Sequence, residues 1–270
     1  MRRHQVLIAT LGSEAQVITI TLDLLLKRGY PIDRLVVLHT DATEGNIRES
    51  LNALLEELDG RQYYPHLHHE EVCFRDAQGR PLPDVITPDD MQAVFRTTFE
   101  TLKRVKQEGH IVHLSAAGGR KAMSSYALLS AQFLFDEHDH FWNLWSAPAL
   151  LAERRMHARP GEAVLIRLPI PPWHIGLLEK EAFVQSLTPT LAEVLELVAR
   201  GKSNREIAEK RVTGEGTVRT QVEDLRARLR ERMGYEGKVD RYTIIREFSP
   251  YFELLDALGY PTRYGQEGNP

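Results

Sequence analysis

Strand-like and helix-like patterns alternate over the first two-thirds of the chain, and after a proline-rich break the pattern turns helical almost to the end. These two observations predict an α/β fold: a doubly wound, mainly parallel sheet followed by a small all-α domain. A third observation agrees. Two strand ends run into glycine-bearing loops, at the place where open parallel sheets hold ligands. The 270 residues suffice for one large domain or two ordinary ones, and 42% hydrophobic with 27% charged residues is a globular composition. The net charge of -4 makes any nucleic-acid site a local one. The single cysteine, Cys73, excludes an intramolecular disulfide and a multi-cysteine zinc site and fits a reducing cytoplasm. The opening MRRHQVLIAT reads as a first strand rather than a signal peptide, and no run approaches the ~18 apolar residues of a membrane span. The expectation is a cytoplasmic protein with no membrane partner.

The elements follow in order. QVLIATL is a buried-strand run, and EAQVITITLDLLLKRG has helical length and stops at Gly29. RLVVLHT is a second strand, TEGNIRESLNALLEEL a second helix and HEEVCF a third strand. TPDDMQAVFRTTFETLKRVKQEG carries a start signal, with Thr87 as cap, Pro88 in the first turn and Asp90 three residues on. Its Met91, Val94, Phe95, Phe99, Leu102 and Val105 form one apolar stripe. HIVHLSA, HFWNLWS and AVLIRLP are further strands, with Trp142 and Trp145 read as core residues. Residues 1–168 make the first domain. Pro169, Pro171 and Pro172 predict an extended linker over residues 169–186. Residues 187–258 make a helical domain, and residues 259–270 a loose tail.

The stretch HLSAAGGRKAMSS raises a question of charge. The first turn of a helix carries roughly half a positive charge, yet Arg120 and Lys121 stand there. A bound anion would offset both. The loop ATLGSEAQ after the first strand likewise offers small residues and backbone N–H groups. Neither loop is a Walker loop or a Gly-x-Gly-x-x-Gly dinucleotide turn, so a nicotinamide-dependent enzyme is disfavoured and no cofactor is expected. The alternative is that Gly118 and Gly119 only make a tight turn beside solvated cations. Asp41, in TDATEGNI, is read as a helix cap. His66, His68 and His69 lie in a loop without a cysteine or second cluster, and no metal is assigned to them.

Two motifs carry a resemblance. Gly118-Gly119-Arg120-Lys121-x-Met123-Ser124 follows a late strand, and Thr10-x-Gly12-Ser13-x-x-Gln16 follows the first. Residues 1 to about 168 resemble a CARF domain, the CRISPR-associated Rossmann-like fold. The resemblance implies a homodimer that binds cyclic oligoadenylate, with cyclic tetra-adenylate the favoured ring, through Thr10, Gly12, Ser13, Gln16, Gly118, Gly119, Arg120, Lys121, Met123 and Ser124. It also implies a metal-free cleavage in some members, in which a ribose 2′-OH attacks the adjacent phosphorus and leaves a 2′,3′-cyclic phosphate. Ser13 would then orient the ribose and Lys121 would stabilise the developing charge.

The C-terminal stretch from Leu187 to Leu229 resembles the LuxR/GerE helix-turn-helix. Thr188 caps its first helix with Pro189 in the first turn, and Val194, Leu195 and Val198 form a core face. Gly201 ends that helix, Ser203-Asn204-x-Glu206-Ile207-Ala208 begins the next, and Gly216-Thr217-Val218-Arg219 starts the recognition helix. Arg211 stands where the family has an apolar residue, so Val212 is expected to take the buried role. Gln221 replaces a common histidine. The expected DNA contacts are Arg205, Thr217, Arg219, Gln221 and Arg226. The alternative is a dimerisation module with solvated arginines.

Three functions compete: a ligand-controlled transcription regulator, a ring nuclease, and a ligand-activated ribonuclease with an Arg-x4–6-His site in a helical domain. The last is disfavoured. Arg61 to His66 and Arg104 to His110 match the spacing only inside the first domain, and no histidine follows His174.

Overall fold

The computed structural model describes residues 4–60, 63–170, 177–234, 239–260 and 262. The chain divides into two units, Met1–Trp173 and His174–Pro270. The first runs β1 (Gln5–Thr10), α1 (Gln16–Lys27), β2 (Ile32–His39), α2 (Gly45–Asp59), β3 (His68–Cys73), α3 (Pro88–Gln107), β4 (Ile111–Ser115), α4 (Lys121–Leu134), β5 (His140–Ser146), α5 (Pro148–Ala152) and β6 (Ala163–Leu168). The sheet order is β3-β2-β1-β4-β5-β6. All pairings are parallel except β5 with β6. The chain moves outward from β1 through β2 to β3, then returns and moves the other way from β4. The order therefore reverses between β1 and β4, and the carboxyl ends of those strands open the crevice in which such sheets bind ligands.

Local chemistry explains the elements. Val6 to Ala9 are fully buried between neighbours on both sides, as a central parallel strand requires. Helix α3 starts on the predicted capping box: Thr87 Oγ1 accepts from the Asp90 N–H at 3.2 Å, and Asp90 Oδ2 accepts from the Thr87 N–H at 2.8 Å. Trp142 is buried, and its indole N–H donates to His113 Nδ1 at 3.1 Å. Burial, with His140 and Arg167 adding to it, pushes the His113 pKa down to about 3 and keeps the ring neutral. Trp145 departs from the expected core role, being 51% exposed. Strand alternation is the reason: Trp142 faces the α1 side with Leu165, whereas Trp145, three residues on, pairs with the exposed Val164 of the antiparallel edge.

An ion cluster ties the segment after α5 to α1 and α2. His157 Nδ1 lies 2.7 Å from Asp23 Oδ2 and Nε2 lies 3.1 Å from Glu57 Oε1, while Tyr64 donates to Asp23 Oδ1 at 2.7 Å. Partial burial opposes the charged ring, but the hydrogen bonds to Asp23 and Glu57 and their charges outweigh it, so the His157 pKa is raised. A raised histidine contributes stability that is complete below its ordinary pKa near 6.5 and is lost as pH rises through the raised value. The stability advantage of the wild type over His157→Gln, read by urea denaturation, is accordingly expected to be larger at pH 6 than at pH 9.

The second unit runs α6 (Leu177–Gln185), α7 (Pro189–Ala199), α8 (Asn204–Lys210), α9 (Glu215–Met233) and α10 (Arg241–Ala257). Residues 171–176 of the expected linker lie outside the described residues. Leu177–Gln185 is not linker but a helix, because Leu177 and Phe183 are buried and Phe183 packs on Phe248 of α10. In the expected tail, residues 261 and 263–270 lie outside the described residues. Its described part is docked rather than loose: Thr262 Oγ1 bonds Asp256 Oδ1 at 2.5 Å, and Asp256 also receives Arg200 Nη1 at 2.9 Å.

The helix-turn-helix starts match the sequence. Thr188 Oγ1 accepts from the Leu191 N–H at 3.4 Å, and Ser203 and Glu206 form a capping box. The turn does not. Val212 is 93% exposed at φ +50°. Arg211 has taken the inner place, its guanidinium reaching Glu193 at 3.1 Å and Gln221 Oε1 at 2.9 Å. Helix α8 then closes as a Schellman motif, with the Thr213 N–H on Ala208 O (3.0 Å) and the Val212 N–H on Glu209 O (3.3 Å). That motif puts a left-handed conformation on Val212, which a β-branched residue adopts at a cost of roughly 1–2 kcal/mol. Val212→Asn is expected to stabilise the helical unit by about 1 kcal/mol, read as a higher denaturation midpoint.

Candidate functional site

The crevice at the switch point is built by two loops that touch through their backbones. Thr10 Oγ1 donates to Gly118 O at 2.6 Å. A Cβ on Gly118 would stand 2.3 Å from Thr10 O, and one on Gly12 would stand 2.5 Å from Gly119 N. Gly119 adds φ +83° and packs on the sulfur of Met123. The glycines are thus required by close approach, and at Gly119 also by a left-handed turn. Ser124 Oγ donates to Ala116 O at 2.5 Å, and Met123 Sδ accepts from the Arg120 N–H at 3.2 Å. Thr10 therefore ties the end of β1 to the second loop, and Met123 and Ser124 brace that second loop on the start of α4. Gln16, 2% exposed, bonds Glu14 Oε2 and Leu151 O.

Between the loops lies a cavity of about 580 Å³, lined among others by Gly12, Ser13, Asp41, Asp84, Gly118 and Arg120. Its volume falls within the ~300–1,000 Å³ of small-molecule sites. Ser13 is exposed at its wall. Asp41 is not the helix cap expected of it, since α2 starts at Gly45 with Glu44 in the cap position; its carboxylate instead accepts from the Thr43 N–H at 2.9 Å and closes the turn before the helix. Lys121 is exposed at the first position of α4 and is not among the cavity-lining residues.

Of the two cations at the helix start, Arg120 has a partner. Arg120 Nε donates to Asp84 Oδ1 at 2.8 Å, and its Nη2 donates to Asp84 Oδ2. The hydrogen bonds from Arg120 hold the Asp84 carboxyl below the usual carboxylate range, and the Asp84 carboxylate raises the Arg120 pKa in turn. Glu14, Asp41 and Glu44 also line the cavity. Sequence reasoning missed Asp84, which lies 36 residues from Arg120 in the chain. The only local signal was the stiff run Pro81-Leu82-Pro83-Asp84, which the backbone pins to the sheet through Asp41 N to Leu82 O (2.7 Å) and Leu82 N to Phe74 O (2.9 Å). Among the described residues no group of three or more His, Cys, Asp or Glu side chains is placed to hold a metal ion.

In the helical unit, Thr217 and Arg219 stand exposed on the first turns of α9. Gln221 is half-buried, and its carbonyl is taken by Arg211. Arg226 pairs with Glu223 at 2.5 Å, and Arg205 pairs with Glu209 at 3.6 Å. Of the five expected DNA contacts, Thr217 and Arg219 stand exposed at the N-terminal end of the recognition helix, Gln221 and Arg226 are engaged within the unit, and Arg205 is 79% exposed beside Glu209.

A Rossmann-like sheet with a polar crevice at its switch point, joined to a helix-turn-helix, defines the class. Residues 14–210 match the family of CRISPR-associated protein NE0113, and the chain belongs to that family. Residues 185–243 match the luxR family of bacterial regulatory proteins. No curated protein matches the chain. Three solved structures are similar to the chain at low scores. Protein VC1899 from Vibrio cholerae is 13% identical with a TM-score of 0.38, covering 94% of this chain and 66% of its own. Csm6 from Enterococcus italicus, bound to cyclic hexa-2′-fluoro-hexa-dAMP, is 14% identical at 0.43, covering 94% and 62%. A type III CRISPR defence DNA nuclease activated by cyclic oligoadenylate is 13% identical at 0.34, covering 96% and 35%. The chain thus spans less than two thirds of the length of these proteins, and likeness at these scores carries no shared site or activity. Among the described residues no helix is long and apolar enough to cross a membrane.

Proposed function

We propose that the chain is a cyclic oligoadenylate-responsive, DNA-binding regulator that works as a homodimer in type III CRISPR defence. The observation that carries this reading is the coexistence, in one chain, of a cavity walled by Gly12, Gly118, Gly119 and Arg120 and a LuxR-type helix-turn-helix with an exposed Arg219. The backbone N–H groups of the two loops and the guanidinium of Arg120 suit phosphates, and the carboxylates of Asp41 and Glu44 suit adenine amino or ribose hydroxyl donors. A two-fold ring matches a two-fold dimer. DNA affinity rests on local charge, since residues 174–270 hold 15 Lys and Arg against 16 Asp and Glu. Regulation requires that the ligand bind two arrangements of the dimer with different affinity.

The second reading is ring cleavage by 2′-OH attack. Ser13 lines the cavity, which favours it as the group that orients a ribose. Lys121 stands outside the lining of the single chain, so its role in that reaction requires a side-chain swing or a second copy. The test is incubation of the purified chain with cyclic tetra-adenylate, and separately cyclic hexa-adenylate, in EDTA, followed by chromatography. Intact ring retained by the protein is the result expected of the regulator. Linear products ending in 2′,3′-cyclic phosphate would establish the nuclease and put Ser13→Ala and Lys121→Ala to a catalytic test. Neither retention nor cleavage would sink the reading of the cavity.

A further inference from the structure

The geometry points to Asp84 as the positioning residue for Arg120, turning its guanidinium into a preset fork for one phosphate of the ligand. This rests on the cavity being the cyclic oligoadenylate site. Asp84 takes the side-on edge of the guanidinium, the Nε–H and one Nη2–H. The end-on edge, with one Nη1 hydrogen and the second Nη2 hydrogen, remains free of Asp84 and can bind a phosphate bidentately. Both residues line the cavity, and the Arg120 side chain is 65% exposed against 29% for Asp84.

Asp84 is itself anchored. Its Oδ1 accepts from the Val85 N–H at 2.7 Å, and the preceding Leu82 is bonded on both sides to the sheet layer through Asp41 and Phe74. A long, exposed arginine loses side-chain freedom when it grips a ligand. Here that freedom is already restricted in the free chain, which is the general route by which preorganisation raises affinity.

The opposite role for Asp84 is also chemically definite. A carboxylate beside a polyanion site repels the ligand and competes for the arginine, so its removal would tighten binding. The two roles predict opposite signs. The experiment is calorimetric titration of the full chain with cyclic tetra-adenylate, for wild type, Asp84→Ala, Asp84→Asn and Arg120→Ala, with melting temperatures as a control on folding. Asp84→Ala is expected to weaken binding by about tenfold, and Asp84→Asn, which keeps an acceptor for the Nε–H, to recover part of that loss. In an Arg120→Ala background, Asp84→Ala is expected to cost nothing further, a non-additivity that a general structural role does not produce. Wild-type binding with unchanged or tighter binding by Asp84→Ala overturns the inference alone. Absence of wild-type binding to cyclic tetra- and hexa-adenylate overturns the reading of the cavity and the inference with it.

Discussion

Arg120→Ala is expected to bind cyclic tetra-adenylate ~30-fold or more weakly than the wild type, with an unchanged melting temperature. Hydrogen bonds to charged groups are the strong ones, and losing a bidentate phosphate contact costs on the order of one to two factors of ten in affinity. Arg120 is the cation that lines the cavity among the described residues. Folding is not at stake, because the side chain is exposed and its partner Asp84 remains hydrated. DNA binding without ligand is expected to be unaffected, since Arg120 belongs to the first unit and the helix-turn-helix to the second. A variant that kept full ligand affinity would remove the central residue of the site.

Gly118→Ala is expected to be the most damaging single methyl in the first unit. The added Cβ would stand 2.3 Å from Thr10 O and 3.3 Å from Thr10 C. Thr10 closes β1, which is paired to β2 on one side and β4 on the other, so the obstacle is backbone that cannot swing away. The substitution also displaces Gly118 O, the acceptor of the Thr10 hydroxyl. A destabilisation of roughly 2–4 kcal/mol follows from overpacking with loss of a buried hydrogen bond. Differential scanning calorimetry should show this as a melting temperature lower by roughly 5–12 °C. Gly216→Ala is the control. Nothing lies within 4 Å of its added Cβ, and as a helical position it is expected to gain up to about 1 kcal/mol.

The fold was largely legible because its signals are local and repeated. Apolar runs, the Thr87 capping box, Gly29 at the end of α1, and the Thr188-Pro189 and Ser203-Glu206 starts each depend on neighbours in the chain, and the structure shows them where the pattern put them. The site was half legible. The two glycine loops were visible as small residues at strand ends. What they do was not, because their contacts join positions 108 residues apart, as Thr10 and Gly118 do. Asp84 was invisible for the same reason, and its pairing changes the answer to the charge question: in the free chain the anion beside Arg120 is the protein's own. The recognition turn was misread for a different reason. Substituting Arg211 at an apolar position suggested that the next aliphatic moves inward, but Glu193 and Gln221 give the guanidinium inner partners, and Val212 is left outside. Periodicity reports which face a residue occupies, not whether a charged residue there finds a partner.

Coupling between the two units is the central claim, and fluorescence anisotropy tests it most directly. The probe is labelled duplex DNA from the region upstream of the chain's own gene, titrated with purified protein in the absence and presence of saturating cyclic tetra-adenylate. Typical coupling free energies correspond to changes of about 5–150-fold in affinity, and linkage makes the effect reciprocal. The account predicts a DNA affinity that changes by at least about fivefold with ligand in the wild type and not in Arg120→Ala. An affinity for DNA identical with and without bound ligand would contradict it.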